Sequence, residues 1–109
     1  MPDYSKSKIY TIRSRKDENL IYVGSTTEKL CVRWAKHKHD FIKQKQISFI
    51  NYIYENNLDF NDFYIELYED FSCQNREQLN RREGEIIRLI GSLNYRIEGR
   101  TKKEYIEDN

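Results

Sequence analysis

Ile21–Tyr22–Val23–Gly24–Ser25–Thr26, taken with Lys8–Ile9–Tyr10 upstream, organises the rest of the chain. Both runs carry β-branched and aromatic residues followed by a break, the pattern of short strands. The stretch between them, Ser14 to Asn19, is polar and turn-like. An antiparallel hairpin with its turn centred near Lys16 sets Arg13 opposite Asn19, Ile12 opposite Leu20 and Tyr10 opposite Tyr22. Strand side chains alternate between faces, so the two phenols then stand side by side on one face. Gly24 ends the second strand, where the missing Cβ permits a positive φ or a close approach of a phosphate to the backbone. Ser25–Thr26–Thr27–Glu28 fits a capping box, with Ser25 as N-cap and Glu28 at N3. Two readings of the paired tyrosines stand at this point: packing residues of a sheet, or part of a functional patch. Nine tyrosines in 109 residues make a chance opposition unexceptional.

The length suits one domain, 1–109, with a modest core. Charged residues make up 34% of the chain, yet aromatic content of 14% argues against disorder. No apolar run approaches a membrane span, and no signal-peptide pattern opens the chain. Cys31 and Cys73 sit among apolar neighbours and read as reduced, partly buried thiols of an intracellular protein. No Cys or His pairing has zinc-ligand spacing beyond His37 and His39. The net charge of +1 hides an uneven distribution. From Lys29 to Gln46, Lys29, Arg33, Lys36, Lys38, Lys43 and Lys45 stand against Asp40 alone, a net of +5. Tyr54 to Asp70 holds six acids and no Lys or Arg, and Arg96 to Lys103 returns to +3. Such basic patches suit either a polyanion partner or an ordinary solvated face.

In chain order, Lys8–Arg13 and Leu20–Val23 form the hairpin. Glu28 to about Lys45 reads as an amphipathic helix, with Leu30, Trp34 and Phe41 on its buried stripe and Ala35 and Ile42 beside it. Arg33 and His37, four apart, share a neighbouring face. Ile47 to Glu55 reads as a second helix with Ile50, Ile53 and Tyr54 inward. Phe63 to Glu69 alternates strictly and reads as a third strand, and a third helix runs from Ser72–Asn75 to about Ile90 with Gly91 as its C-cap. Leu93–Asn94 falls in a connection, and residues 96–109 form a polar tail. The result is an α+β fold of order β-β-α-α-β-α, a three-stranded antiparallel sheet flanked by helices.

Leu79, Ile86, Ile87 and Ile90 make the buried stripe of the third helix, and Glu83 falls inside it. A carboxylate there needs a structural partner such as Arg33, or a metal or catalytic role. Gly84 in mid-helix costs about 1 kcal/mol relative to Ala, which close packing would justify.

These residues together resemble the GIY-YIG nuclease superfamily. Lys8–Ile9–Tyr10 stands where that family has Gly-Ile-Tyr, and Tyr22–Val23–Gly24 stands for Tyr-Ile-Gly. Arg33 lies on the following helix as the family's arginine does, and His37 falls where the homing-enzyme branch has a histidine. Arg82–Glu83 is similar to the Arg-Glu of the third helix, whose glutamate binds the metal, and Leu93–Asn94 to the downstream asparagine. The match spans roughly residues 8 to 95, and the wording of Tyr22–Thr27 and Glu77–Arg88 is similar to cassettes of large DNA viruses. One departure is Lys8 in place of the first glycine. That glycine is a backbone position, and an ammonium there either approaches the phosphate or points to solvent.

The resemblance implies a DNA endonuclease dependent on Mg2+ or Mn2+, with Tyr10, Tyr22, Arg33, His37, Glu83 and Asn94 as the catalytic set and Glu83 on the metal. Lys8, Gly24, Ser25, Lys36 and Lys43 are the expected DNA contacts. The partner implied is DNA, not a membrane, and the chain is expected as a monomer or weak homodimer. The rival is a DNA-binding module of the same fold without cleavage. The chain is expected to be either a free-standing nuclease of low specificity or a piece of a longer protein.

Overall fold

The computed structural model describes residues 2–97, with side chains through Tyr95. Its first hairpin joins β1, Lys8–Ser14, to β2, Ile21–Thr26. The connection is longer than the tightest turn. Ser14 Oγ accepts from the backbone N–H groups of Lys16 and Asp17, and Leu20 N–H returns to the Asp17 carbonyl. The turn therefore centres on Asp17, not Lys16, and the register moves by two residues. Tyr10 pairs with Gly24, Ile12 with Tyr22 and Arg13 with Ile21. The expected Tyr10–Tyr22 opposition is thus replaced, although a shift of two keeps both phenols on the same face.

β1 is the middle strand of a three-stranded antiparallel sheet of order β2-β1-β3, where β3 is Phe63–Asp70. A register break on the β3 side falls between Ile9 and Tyr10. As a middle strand covered on both faces, β1 buries Ile9, Tyr10, Thr11 and Ile12 in succession. Its alternation divides the interior in two. Tyr10 and Ile12 enter a large aromatic core with Phe49, Ile50, Ile53, Phe60 and Phe63. Ile9 faces a smaller core with Val23, Leu79 and Ile86.

The first core lies under α1, Leu30–Ile42, and α2, Ser48–Glu55. Leu30, Trp34 and Phe41 are half-buried against it, with Trp34 and Phe41 each stacked on Phe60. The expected stripe drifts at its end. Ile42 is 66% exposed at the last helical position and Ala35 is exposed, while the buried residue of α1 is His37. Tyr54 was expected inward but is 41% exposed, its ring stacked on Phe41 and its hydroxyl donating to the Phe41 carbonyl. Cys31 is exposed rather than partly buried, and Cys73 is half-buried; both thiols are free.

The second core lies under α3, Arg76–Ile90, capped by Asn75. Arg82 clasps Glu69 of β3 with two hydrogen bonds of 2.7 and 2.6 Å, which hold the Glu69 carboxyl below its ordinary range. Gly84 does not mark close packing. A Cβ built there meets only the Arg88 guanidinium, at an ordinary 3.8 Å. Gly84→Ala should therefore raise stability by about 0.5–1 kcal/mol, read as a higher melting temperature; a lower one would show a packing role.

Leu93–Asn94, expected in a connection, belongs to a short helix α4, Ser92–Ile97. α4 seals the outer edge of β2. Ser92 Oγ accepts from Ile21 N–H and donates to the Asn19 carbonyl. Asn94 Oδ1 accepts from Val23 N–H at 2.8 Å and its Nδ2 donates to the Val23 carbonyl at 3.0 Å, so one side chain serves as a rung of sheet. The tail expected over 96–109, with its basic patch, lies outside the described residues from 98 onward. No helix among the described residues is long and apolar enough to cross a membrane.

Candidate active site

Gly24 is where the site begins. Its φ is not positive, and it is buried. The Tyr10 ring lies across it: a Cβ on Gly24 would sit 2.4 Å from both Cζ and Oη of Tyr10. The glycine supplies the space through which a phenol from the middle strand crosses the edge strand.

The hydroxyl so placed meets two groups of α1. Arg33 Nε donates to Tyr10 Oη at 3.2 Å, and Oη lies 3.0 Å from His37 Nε2. Arg33 can only donate, so the arrangement satisfying all three groups sends the phenol proton to His37 and leaves Nδ1 of a neutral imidazole protonated. Burial lowers the His37 pKa to about 4, assisted by the Arg33 charge, so the ring is neutral near pH 7. Burial also raises the Tyr10 pKa, and the charge and hydrogen bond of Arg33 only partly oppose it. At 1% exposure, desolvation outweighs one guanidinium. Tyr22 stands opposite Ile12, half-buried and stacked on Phe49 at 4.9 Å.

Ser25 does not cap α1. β2 continues through Thr26, α1 begins at Leu30, and Lys29 at its N-cap makes no side-chain bond. Thr26 Oγ1 instead accepts from Glu28 N–H in the connection. Ser25 points to the α3 side of the sheet and donates to Glu83 Oε1 at 3.0 Å. Glu83 is thus anchored by a neutral hydroxyl from the same strand end that carries Gly24. The Glu83 charge is close enough to contribute to raising the Tyr10 pKa. Tyr10, Arg33 and His37 from one face and Ser25 and Glu83 from the other converge around the C-terminal end of β2.

The remaining expected residues take different places. Asn94 holds the Val23 backbone, one residue before Gly24. The Lys8 ammonium neither points to solvent nor stands unattached: it donates to the carbonyls of Lys6 and Glu28, tying the β2–α1 connection to the start of β1. Lys36 pairs with the Glu28 carboxylate at 2.7 Å on the exposed side of α1, and Lys43 follows the last turn of that helix. A cleft of about 270 Å³ runs from this connection to the start of α3, with Arg33 and Arg76 among its lining residues. Arg76 carried no sequence signal, because only the tertiary fold brings the start of α3 to the same cleft as the β2–α1 connection.

No group of three or more His, Cys, Asp or Glu that could hold a metal occurs among the described residues. A single oriented carboxylate still fits a hard divalent cation that takes most of its shell from water and phosphate. Glu83, fixed by Ser25, offers that oxygen donor.

Comparison with known proteins agrees with this geometry. The GIY-YIG catalytic domain family model matches residues 6–96. A protein named for an MSV199 domain, 146R of Invertebrate iridescent virus 6, is 31% identical over 103 residues, covering 94% of this chain; the chain spans 40% of that relative's length. Among solved structures, the catalytic domain of homing endonuclease I-TevI is similar in fold. Its TM-score is 0.62 at 24% identity, over 78% of this chain and 88% of that one.

Proposed function

Because the chain belongs to the GIY-YIG catalytic domain family, we propose that it is a DNA endonuclease hydrolysing phosphodiester bonds with one divalent cation, Mg2+ or Mn2+, on Glu83. The observation that carries this reading is the Tyr10 hydroxyl, held between Arg33 and His37 at the strand end that also positions Glu83.

When bound, the cation supplies positive charge to the phosphoryl and leaving oxygens. The chain's own residues do the rest. Tyr10 is a relay rather than a pre-ionised base. Its proton is already directed at neutral His37 Nε2, so it takes a proton from the attacking water as it passes its own on. Arg33 steadies negative charge on the phenol oxygen through Nε and lines the cleft where the phosphate lies. Ser25 holds the Glu83 carboxylate in one orientation. Asn94 holds β2 in place rather than touching the reacting atoms. Tyr22, half-exposed, is the second phenol proposed to position the water. Along the duplex, Lys8, with one ammonium N–H left, and Lys36 and Lys43 are proposed to meet phosphates.

The test is supercoiled plasmid incubated with Mg2+, Mn2+ or EDTA. Nicked or linear product with either metal and none in EDTA is expected. Tyr10→Phe should cut at least about a hundredfold more slowly in single turnover. It should lose only about 1–3 kcal/mol of stability, since one hydroxyl is removed from two partners. Intact plasmid with both metals and a folded protein would overturn the reading; DNA binding in that case would identify the non-cleaving module instead.

A further inference from the structure

We propose that Arg76 forms, with Asn80 and Thr27 in the same cleft, a second subsite for a backbone phosphate of the substrate strand, adjoining the one at Glu83. The inference rests on the nuclease reading, which places the reactive phosphate. Arg76, Asn80 and Glu83 recur at i, i+4 and i+7 and therefore share one face of α3. Arg76 lies about 10 Å along the helix axis from Glu83. Thr27 and Arg33 line the same cleft, beside Ser25 and Thr26, whose hydroxyls already serve Glu83 and the Glu28 N–H. Two guanidinium groups and the Thr27 hydroxyl lining one cleft suit an anion with several acceptor oxygens. The acid at this rim, Glu28, is already neutralised by Lys36.

Arg76 also differs from its neighbours on the same helix. Arg82 is committed to Glu69 and Arg81 to Glu77. Among the described residues, no hydrogen bond or ion pair occupies the Arg76 guanidinium, which is exposed at the cleft. A phosphate lying between Arg76 and Thr27 would extend the strand from the reactive centre along α3, without reading bases.

The experiment is anisotropy titration of short duplexes of unrelated sequence, in EDTA and at several salt concentrations. Arg76→Ala should bind all of them about eightfold more weakly at 0.1 M salt, and the slope of log K against log[salt] should fall by about 1. Arg76→Lys should restore the slope and part of the affinity, because it keeps the charge but not the fork. Arg81→Ala removes the same charge from another face of α3 and should leave both unchanged. Equal losses in Arg76→Ala and Arg81→Ala, or a wild-type slope in Arg76→Ala, overturn the subsite while the nuclease reading stands on plasmid cleavage. A wild-type protein that neither binds nor cuts DNA overturns both.

Discussion

In Glu83→Gln, DNA cleavage is expected to fall by about three orders of magnitude or more while DNA binding stays near wild type. The substitution removes a charge and nothing else of size. Ser25 can donate to an amide oxygen as it does to Oε1, so the local fold persists. A neutral amide is a poor ligand for a hard cation, and loss of that cation's charge from the transition state is worth several kcal/mol. At about 1.4 kcal/mol per tenfold, that is the expected drop. Single-turnover cleavage under saturating Mg2+, with binding and melting measured on the same preparation, checks it. Cleavage at the wild-type rate would remove Glu83 from the metal.

Gly24→Ala should be nearly as damaging to cleavage and worse for stability, although it adds only one methyl group. That methyl would lie 2.4 Å from Tyr10 Cζ and Oη and 2.9 Å from Cε1. The ring cannot step aside cheaply, since it is buried, bonded to Arg33 and His37 and on the shared face with Phe49. Overpacking of this kind costs about 1–3 kcal/mol. A displaced phenol also misplaces Arg33, and a shift of about 1 Å is enough to cost a hundredfold in rate. Melting and single-turnover cleavage should fall together in this variant. Wild-type behaviour in both would show that the ring has another place to go.

Residue periodicity made most of the fold legible. Phe63 to Glu69 appears as β3, although its alternation fades after Ile65 and leaves Leu67 and Tyr68 both exposed, and the stripe of Leu79 and Ile86 appears inward on α3. The spacing of Arg33 and His37 also placed them together on Tyr10. What escaped depended on partners remote in sequence. Ser14 to Asn19 is uniformly polar, so nothing local marked the Ser14 hydroxyl as the group that lengthens the turn and shifts the register. Ser25–Glu28 satisfies the capping pattern, yet Glu83, fifty-eight positions away, took the serine. Six residues from Ser92 to Ile97 are too few to show a helical period. The direction of the Tyr10 pKa turned on burial, which spacing does not report.

The rung that Asn94 adds to β2 closes a loop of seventy-one residues. The strand on which the reactive groups meet therefore gains its outer neighbour only when nearly the whole domain exists. A nascent chain that has emerged as far as Ile90 already holds Tyr10, Arg33, His37 and Glu83, but the N–H groups of Ile21 and Val23 still lack their partners. Contacts this distant are paid for late in folding. During synthesis this edge of β2 therefore stays open until residues 92–94 have left the ribosome.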